Sequence, residues 1–121
     1  QVTRDHSLVQ EMVRMGEMDK ESAKHHPDKN IITRAVGVTE TVNIDYFRID
    51  RRPIQSILLC SDGLTNMVED AEIEHILKDN SLSASRKVKQ LVSQANTAGG
   101  RDNITVVLIE NDPHSEVSES C

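Results

Sequence analysis

Tryptophan is absent from the chain, and tyrosine and phenylalanine occur once each, as Tyr46 and Phe47. A core must therefore be built from Ile, Leu, Val, Met and Ala, and the stacking platforms that single-stranded nucleic acid uses are missing. An excess of positive charge is missing too: 14 Lys and Arg stand against 20 Asp and Glu, a net charge of −6. Binding a phosphate backbone takes clustered cations, so nucleic acid is excluded as an expected partner. No apolar run approaches the roughly 20 residues of a membrane span, and no basic start leads into an apolar stretch of signal-peptide type. Cysteine is nearly absent, with Cys60 inside an apolar run and Cys121 closing a polar tail. One core thiol and one tail thiol make no disulfide framework and suit a reducing compartment, so the expected address is the cytoplasm.

What is present is 121 residues, the length of one domain, patterned first as helix, then strand, then helix and strand again. Asp5 or Ser7 can cap a helix that sets Leu8, Val9, Met12 and Val13 on one face and stops at Gly16. A second short helix follows, with Asp19 as cap, Glu21 in its first turn and Pro27 closing it. From Ile31 the period becomes that of a strand, Val42, Ile44 and Tyr46 alternating with Asn43 and Asp45, with a bulge or strand end near Tyr46. Arg51-Arg52-Pro53 reads as a turn, and Ile54 to Cys60, the most apolar run, as a central strand. Beyond Gly63, Asp70 can cap a helix with Ile73, Ile76 and Leu77 inward. Ser83 or Ser85 can cap another with Val88, Leu91, Val92 and Ala95 inward, ended by Gly99-Gly100. Ile104 to Ile109 reads as a final buried strand, and residues 111–121 as a polar tail.

Two acids stand out for their position. Asp62 follows the apolar strand in Ser61-Asp62-Gly63, and Asp102 precedes the last strand in Gly99-Gly100-Arg101-Asp102-Asn103. If those strands are antiparallel neighbours, both carboxylates arrive at one edge of the sheet. Two carboxylates without nearby Cys or paired His favour a hard cation, Mg2+ or Mn2+, over zinc. Asp-Gly after a strand is also a common turn, and Asp102-Asn103 can turn the chain into its last strand. Taken singly each acid reads as a turn; for the pair, turn and metal both stay open.

Other reactive side chains have plainer readings. His25-His26 are adjacent, point in different directions on a helix and suit a helix end better than a shared ion. His75 lies on a solvated helix face. Ser61 has no accompanying His and is no nucleophile. Cys60 reads as a small core residue, and Arg86-Lys87-x-Lys89 as a solvated face.

Leu58-Leu59-Cys60-Ser61-Asp62-Gly63-Leu64 resembles the strand and Asp-Gly motif of the type 2C, metal-dependent serine/threonine protein phosphatases. Gly99-Gly100-Arg101-Asp102-Asn103-Ile104-Thr105-Val106 resembles the Gly-x-x-Asp-Asn motif late in that catalytic domain. Asp5-His6-Ser7-Leu8, and His26-Pro27-Asp28-Lys29-Asn30 through Thr33-Arg34-Ala35-Val36-Gly37, are similar to the flap and following strand of the bacterial branch. The four blocks come in the family's order and cover the chain to about Glu110.

The resemblance implies an α+β fold for residues 1–110, half of a β-sandwich with flanking antiparallel helices and a small helical flap at about 5–30. It makes Asp62 and Asp102 ligands in a two-metal Mn2+ or Mg2+ centre, with Gly63 and Asn103 supporting them through backbone or second-sphere contacts. His6, His26 and Asn30 would belong to the flap that governs substrate access. The implied reaction is hydrolysis of phosphoserine and phosphothreonine on proteins, opposite a serine/threonine kinase. The family's Asp-Gly-x-Gly-Gly aspartate and its phosphate-gripping arginine are not found here. The chain is therefore expected to be a fragment that is inactive alone, completed by the N-terminal half of the domain or by self-association, with no membrane partner. Two rivals remain: a non-catalytic protein-binding module on the same scaffold, and a metal-free domain in which both acids only shape turns.

Overall fold

The structure is a computed structural model and describes residues 1–50 and 55–111. The expected turn at Arg51-Arg52-Pro53, the start of the apolar strand at Ile54 and nearly all of the polar tail lie outside the described residues. Two compact units are present, Gln1–Ile49 and a second from Asp50 onward. Among the described residues no helix is long and apolar enough to cross a membrane.

The first unit is a helical hairpin and an extended segment. Helix α1, Leu8–Met15, is preceded by Ser7 and ends at Gly16 (φ 78°), which a side chain would strain. The Gly16 and Glu17 amides donate to the Val13 and Met12 carbonyls, a Schellman-type close. Helix α2, Lys20–His25, is capped by Asp19, whose carboxylate accepts from the Ser22 amide at 2.8 Å and the Ser22 hydroxyl at 2.7 Å. These bonds hold the Asp19 carboxyl below its usual range. An isolated antiparallel bridge joins Ser7 to Ile32, flanked by the Leu8 amide donating to Ile31 and the Thr33 amide donating to His6. The strand expected over Val42 to Tyr46 is not formed. Ile44 and Tyr46 are exposed and no strand among the described residues pairs with them, so alternation alone has no ladder to join.

The second unit begins with strand β1, Ser56–Cys60, and a single turn of helix, α3, Asp62–Thr65. Helices α4, Asp70–Lys78, and α5, Ala84–Thr97, follow, then strand β2, Val106–Glu110. Glu69 precedes α4 as its cap, one residue earlier than the expected Asp70, and Ser83 precedes α5. The Gly99 and Gly100 amides close α5 onto Asn96 and Ala95. Strands β1 and β2 pair antiparallel, with Ile57 opposite Ile109, Leu59 opposite Val107 and Cys60 opposite Val106.

Leu64, Val68, Ile73, Ile76, Leu91 and Ala95 form the core, with Leu58, Ile104 and Val106 packed against it. Fully burying Leu64 or Leu91 contributes roughly 1.5–3 kcal/mol. Only one face of the sheet meets that core. On the other, Leu59, Val107 and Ile109 are 52%, 51% and 54% exposed, so the last strand is half-buried and not the buried strand expected. Its apolar residues alternate between a covered and an uncovered face, which hydropathy cannot distinguish. Cys60 is exposed, contrary to its reading as a core residue, because it lies at the end of β1.

Lys87 also departs from expectation. It is 4% exposed instead of lying on a solvated face. Four residues before Leu91 and eight before Ala95, it shares their inward stripe on α5. Its ammonium donates to the Leu77 carbonyl at the end of α4 (2.9 Å) and to Glu110 Oε1 on β2 (2.6 Å). One cation thus ties two helices to the sheet, its charge met by a carboxylate.

Candidate metal centre

The two acids that sequence reasoning paired are carried by segments in direct contact. β1 ends at Cys60 opposite Val106, where β2 begins. The contact continues past the ladder through Ser61: its amide donates to the Thr105 carbonyl at 3.0 Å. Its hydroxyl donates to the Asn103 carbonyl (2.8 Å) and accepts from the Thr105 amide (3.0 Å). Gly63 lies so close to Asn103 that an added Cβ would collide with the Asn103 carbonyl oxygen and sit 2.9 Å from its carbon. Asp62 is thus flanked by two residues in contact with Asn103, the neighbour of Asp102. The condition of antiparallel neighbours is met.

Asp62 and Asp102 are both exposed. Asp102 Oδ1 accepts from the Asn103 amide at 2.7 Å, a turn-type bond that fixes one oxygen and leaves the other open. Asp62 is the first residue of α3, which sequence reading treated as a turn. Among the described residues no group of three or more His, Cys, Asp or Glu side chains could hold a metal ion. Two carboxylates suit a hard divalent ion that keeps several waters, and they amount to a share of such a site.

The remaining candidates lie in the first unit. His26 caps the C-terminus of α2, the helix-end role expected, and its Nδ1 accepts from the Asp28 amide at 3.1 Å. Asn30 is exposed. His6 Nε2 meets Asp45 Oδ2 at 2.8 Å, and Arg34 Nη1 donates to Asp45 Oδ1 at 2.9 Å. Hydrogen bonds from His6, then Arg34, hold the Asp45 carboxyl down to about 2. Sequence reading missed this cluster, since Asp45 passed for the wet face of a strand; its only signal was an acid within an otherwise uncharged alternating run.

Known proteins supply the chain's kinship. The chain is 50% identical over 112 residues to the serine/threonine phosphatase stp of Listeria monocytogenes serotype 4b, covering 93% of this chain and 44% of that protein. It matches the crystal structure of the serine/threonine phosphatase Stp1 from Staphylococcus aureus with a TM-score of 0.79 and 31% identity, over 93% of this chain and 44% of that one. The chain is homologous to part of a bacterial type 2C serine/threonine phosphatase. Another phosphatase of the group, the PstP catalytic domain solved with two manganese ions, matches with a TM-score of 0.71 and 32% identity, over 89% of this chain and 43% of that one. The type 2C kinship accounts for the α+β elements described above. The chain spans under half the length of the phosphatases it matches. No family model matches it.

Proposed function

We propose that this chain supplies Asp62 and Asp102 to a divalent metal centre that hydrolyses phosphoserine and phosphothreonine on proteins. The observation that carries this reading is the contact of Ser61 and Gly63 with Asn103, which brings the two acid-bearing segments together at one end of the β1–β2 pair. In this reading Asp62 and Asp102 each offer a carboxylate oxygen, and the Asn103 amide orients Asp102 by holding its other oxygen. Gly63 keeps the segments close enough for both acids to serve one ion. When bound, Mn2+ or Mg2+ would stabilise charge on the phosphoryl oxygens and make water a better nucleophile. The flap at about 5–30, with His6, His26 and Asn30, governs substrate access, and a serine/threonine kinase is the opposing activity in the cytoplasm. The isolated chain, with two acids of the site, binds metal weakly and does not turn over.

The test is a Mn2+ titration by calorimetry and phosphopeptide hydrolysis, run on the complete phosphatase and on Asp102→Ala. We expect the variant to lose Mn2+-dependent turnover by at least about 100-fold, with a weaker calorimetric signal and unchanged circular dichroism. Turnover and Mn2+ affinity equal to the parent's would remove Asp102 from the site.

A further inference from the structure

Residues 41–49 of the first unit form neither helix nor strand. The hairpin beside them is tied by its own backbone: two helices, two caps and the Ser7–Ile32 bridge. Residues 43–47 have no such ladder, and their ties are side-chain contacts. Arg34 Nη1 donates to the Asn43 carbonyl at 3.0 Å and to Asp45 Oδ1 at 2.9 Å. His6 Nε2 meets Asp45 Oδ2 at 2.8 Å, and the Arg4 guanidinium lies 6.0 Å from the centre of the Phe47 ring. His6 and Arg34 flank the bridged pair, one residue before Ser7 and two after Ile32. Asp45 comes from outside it, 39 residues beyond His6 in sequence.

We infer that His6, Asp45 and Arg34 form a clasp that straps residues 43–47 onto the bridged hairpin, and that opening it frees this strap while the hairpin stays folded. The geometry is that of a two-oxygen lock. Each carboxylate oxygen meets a different donor, and the donors sit on segments already joined by backbone bonds, so only the strap must be ordered to close it. Hydrogen bonds to an ionised group are about twice as strong as neutral ones. The depressed carboxyl of Asp45 keeps the lock charged throughout the neutral range. Ile44 and Tyr46 are 86% and 87% exposed, so of the strap's large apolar side chains Phe47, 36% exposed, is the one that adds burial to the clasp. This inference stands apart from the phosphatase reading: neither requires the other.

Tyr46 lies inside the strap and is the only tyrosine in a chain without tryptophan, so its fluorescence reports on the strap alone. The experiment compares time-resolved anisotropy of Tyr46, and tryptic cleavage after Arg48, in the chain and in Asp45→Asn, Arg34→Gln and the charge control Glu40→Gln. In Asp45→Asn one donor must face an amide instead of an oxygen. We expect a larger fast component of the Tyr46 decay and roughly tenfold faster cleavage after Arg48 in the first two variants. Glu40→Gln should match the parent, and helical circular dichroism should be retained in all. Unchanged Tyr46 decay and cleavage in both Asp45→Asn and Arg34→Gln overturn the clasp. Loss of helical signal in those variants also overturns it, since the hairpin would then depend on the strap.

Discussion

The two units solve the same problem with different chemistry. The second buries six apolar side chains in one cluster, Leu64 and Leu91 with no exposure at all. The first buries Val9 and Ala23 among its described apolar residues and relies on caps, a bridge and the Asp45 clasp. Apolar burial is non-directional and survives small shifts. Charged hydrogen bonds fail steeply once geometry or ionisation changes. Elements held the first way make a stable platform, and elements held the second way are easier to move. The acids proposed to bind metal stand on the platform.

Three measurements bear on that contrast. The largest effect belongs to Leu91→Ala, which leaves a cavity in the core and should cost about 2–5 kcal/mol in urea unfolding followed by circular dichroism. Tyr46 should register little of it if the units are independently held. A smaller loss, about 1–3 kcal/mol, is expected for Gly63→Ala, whose methyl must push Asn103 away. The same variant should weaken Mn2+ binding in the complete phosphatase; intact Mn2+ affinity would mean that the close approach does not set the spacing of the acids. The smallest effect is an acid transition in the first unit. Asp45, faced by His6 and Arg34, has its pKa lowered from 3.8 to about 2, so its contribution is complete above the unfolded value and disappears as pH falls through the folded one. Tyr46 anisotropy should therefore report strap release between about pH 4 and pH 2, and Asp45→Asn should abolish that step.

Features legible in the sequence were those with a local cause. Gly16, Asp19, Ser83 or Ser85 and Gly99-Gly100 act on their own helices, so those helix ends could be placed within about two residues. The α4 cap fell at Glu69 because Asp70 next to it carries the same chemistry. That the Asp62 and Asp102 segments would meet was legible as a condition, that their strands be antiparallel neighbours; with three helices between β1 and β2 the direction itself came from the structure. What remained hidden depends on partners distant in sequence. Alternation over Val42 to Tyr46 suggested a strand, but a strand needs a neighbour and none is found among the described residues. Asp45 gained its role from His6 and Arg34, and Lys87 from Glu110 and the Leu77 carbonyl. A lysine on the Leu91–Ala95 stripe was the one trace of that burial, and charge alone argued against it.

The hydroxyl of Ser61 has a consequence for how such a centre evolves. Because it donates a hydrogen bond to the Asn103 carbonyl and accepts one from the Thr105 amide, a neutral residue next to the acid aligns the two loops. Asp62 and Asp102 themselves face solvent. Asp62 could be exchanged without breaking these bonds, whereas Asp102 also accepts from the Asn103 amide, so a lineage could lose the first acid and keep its shape.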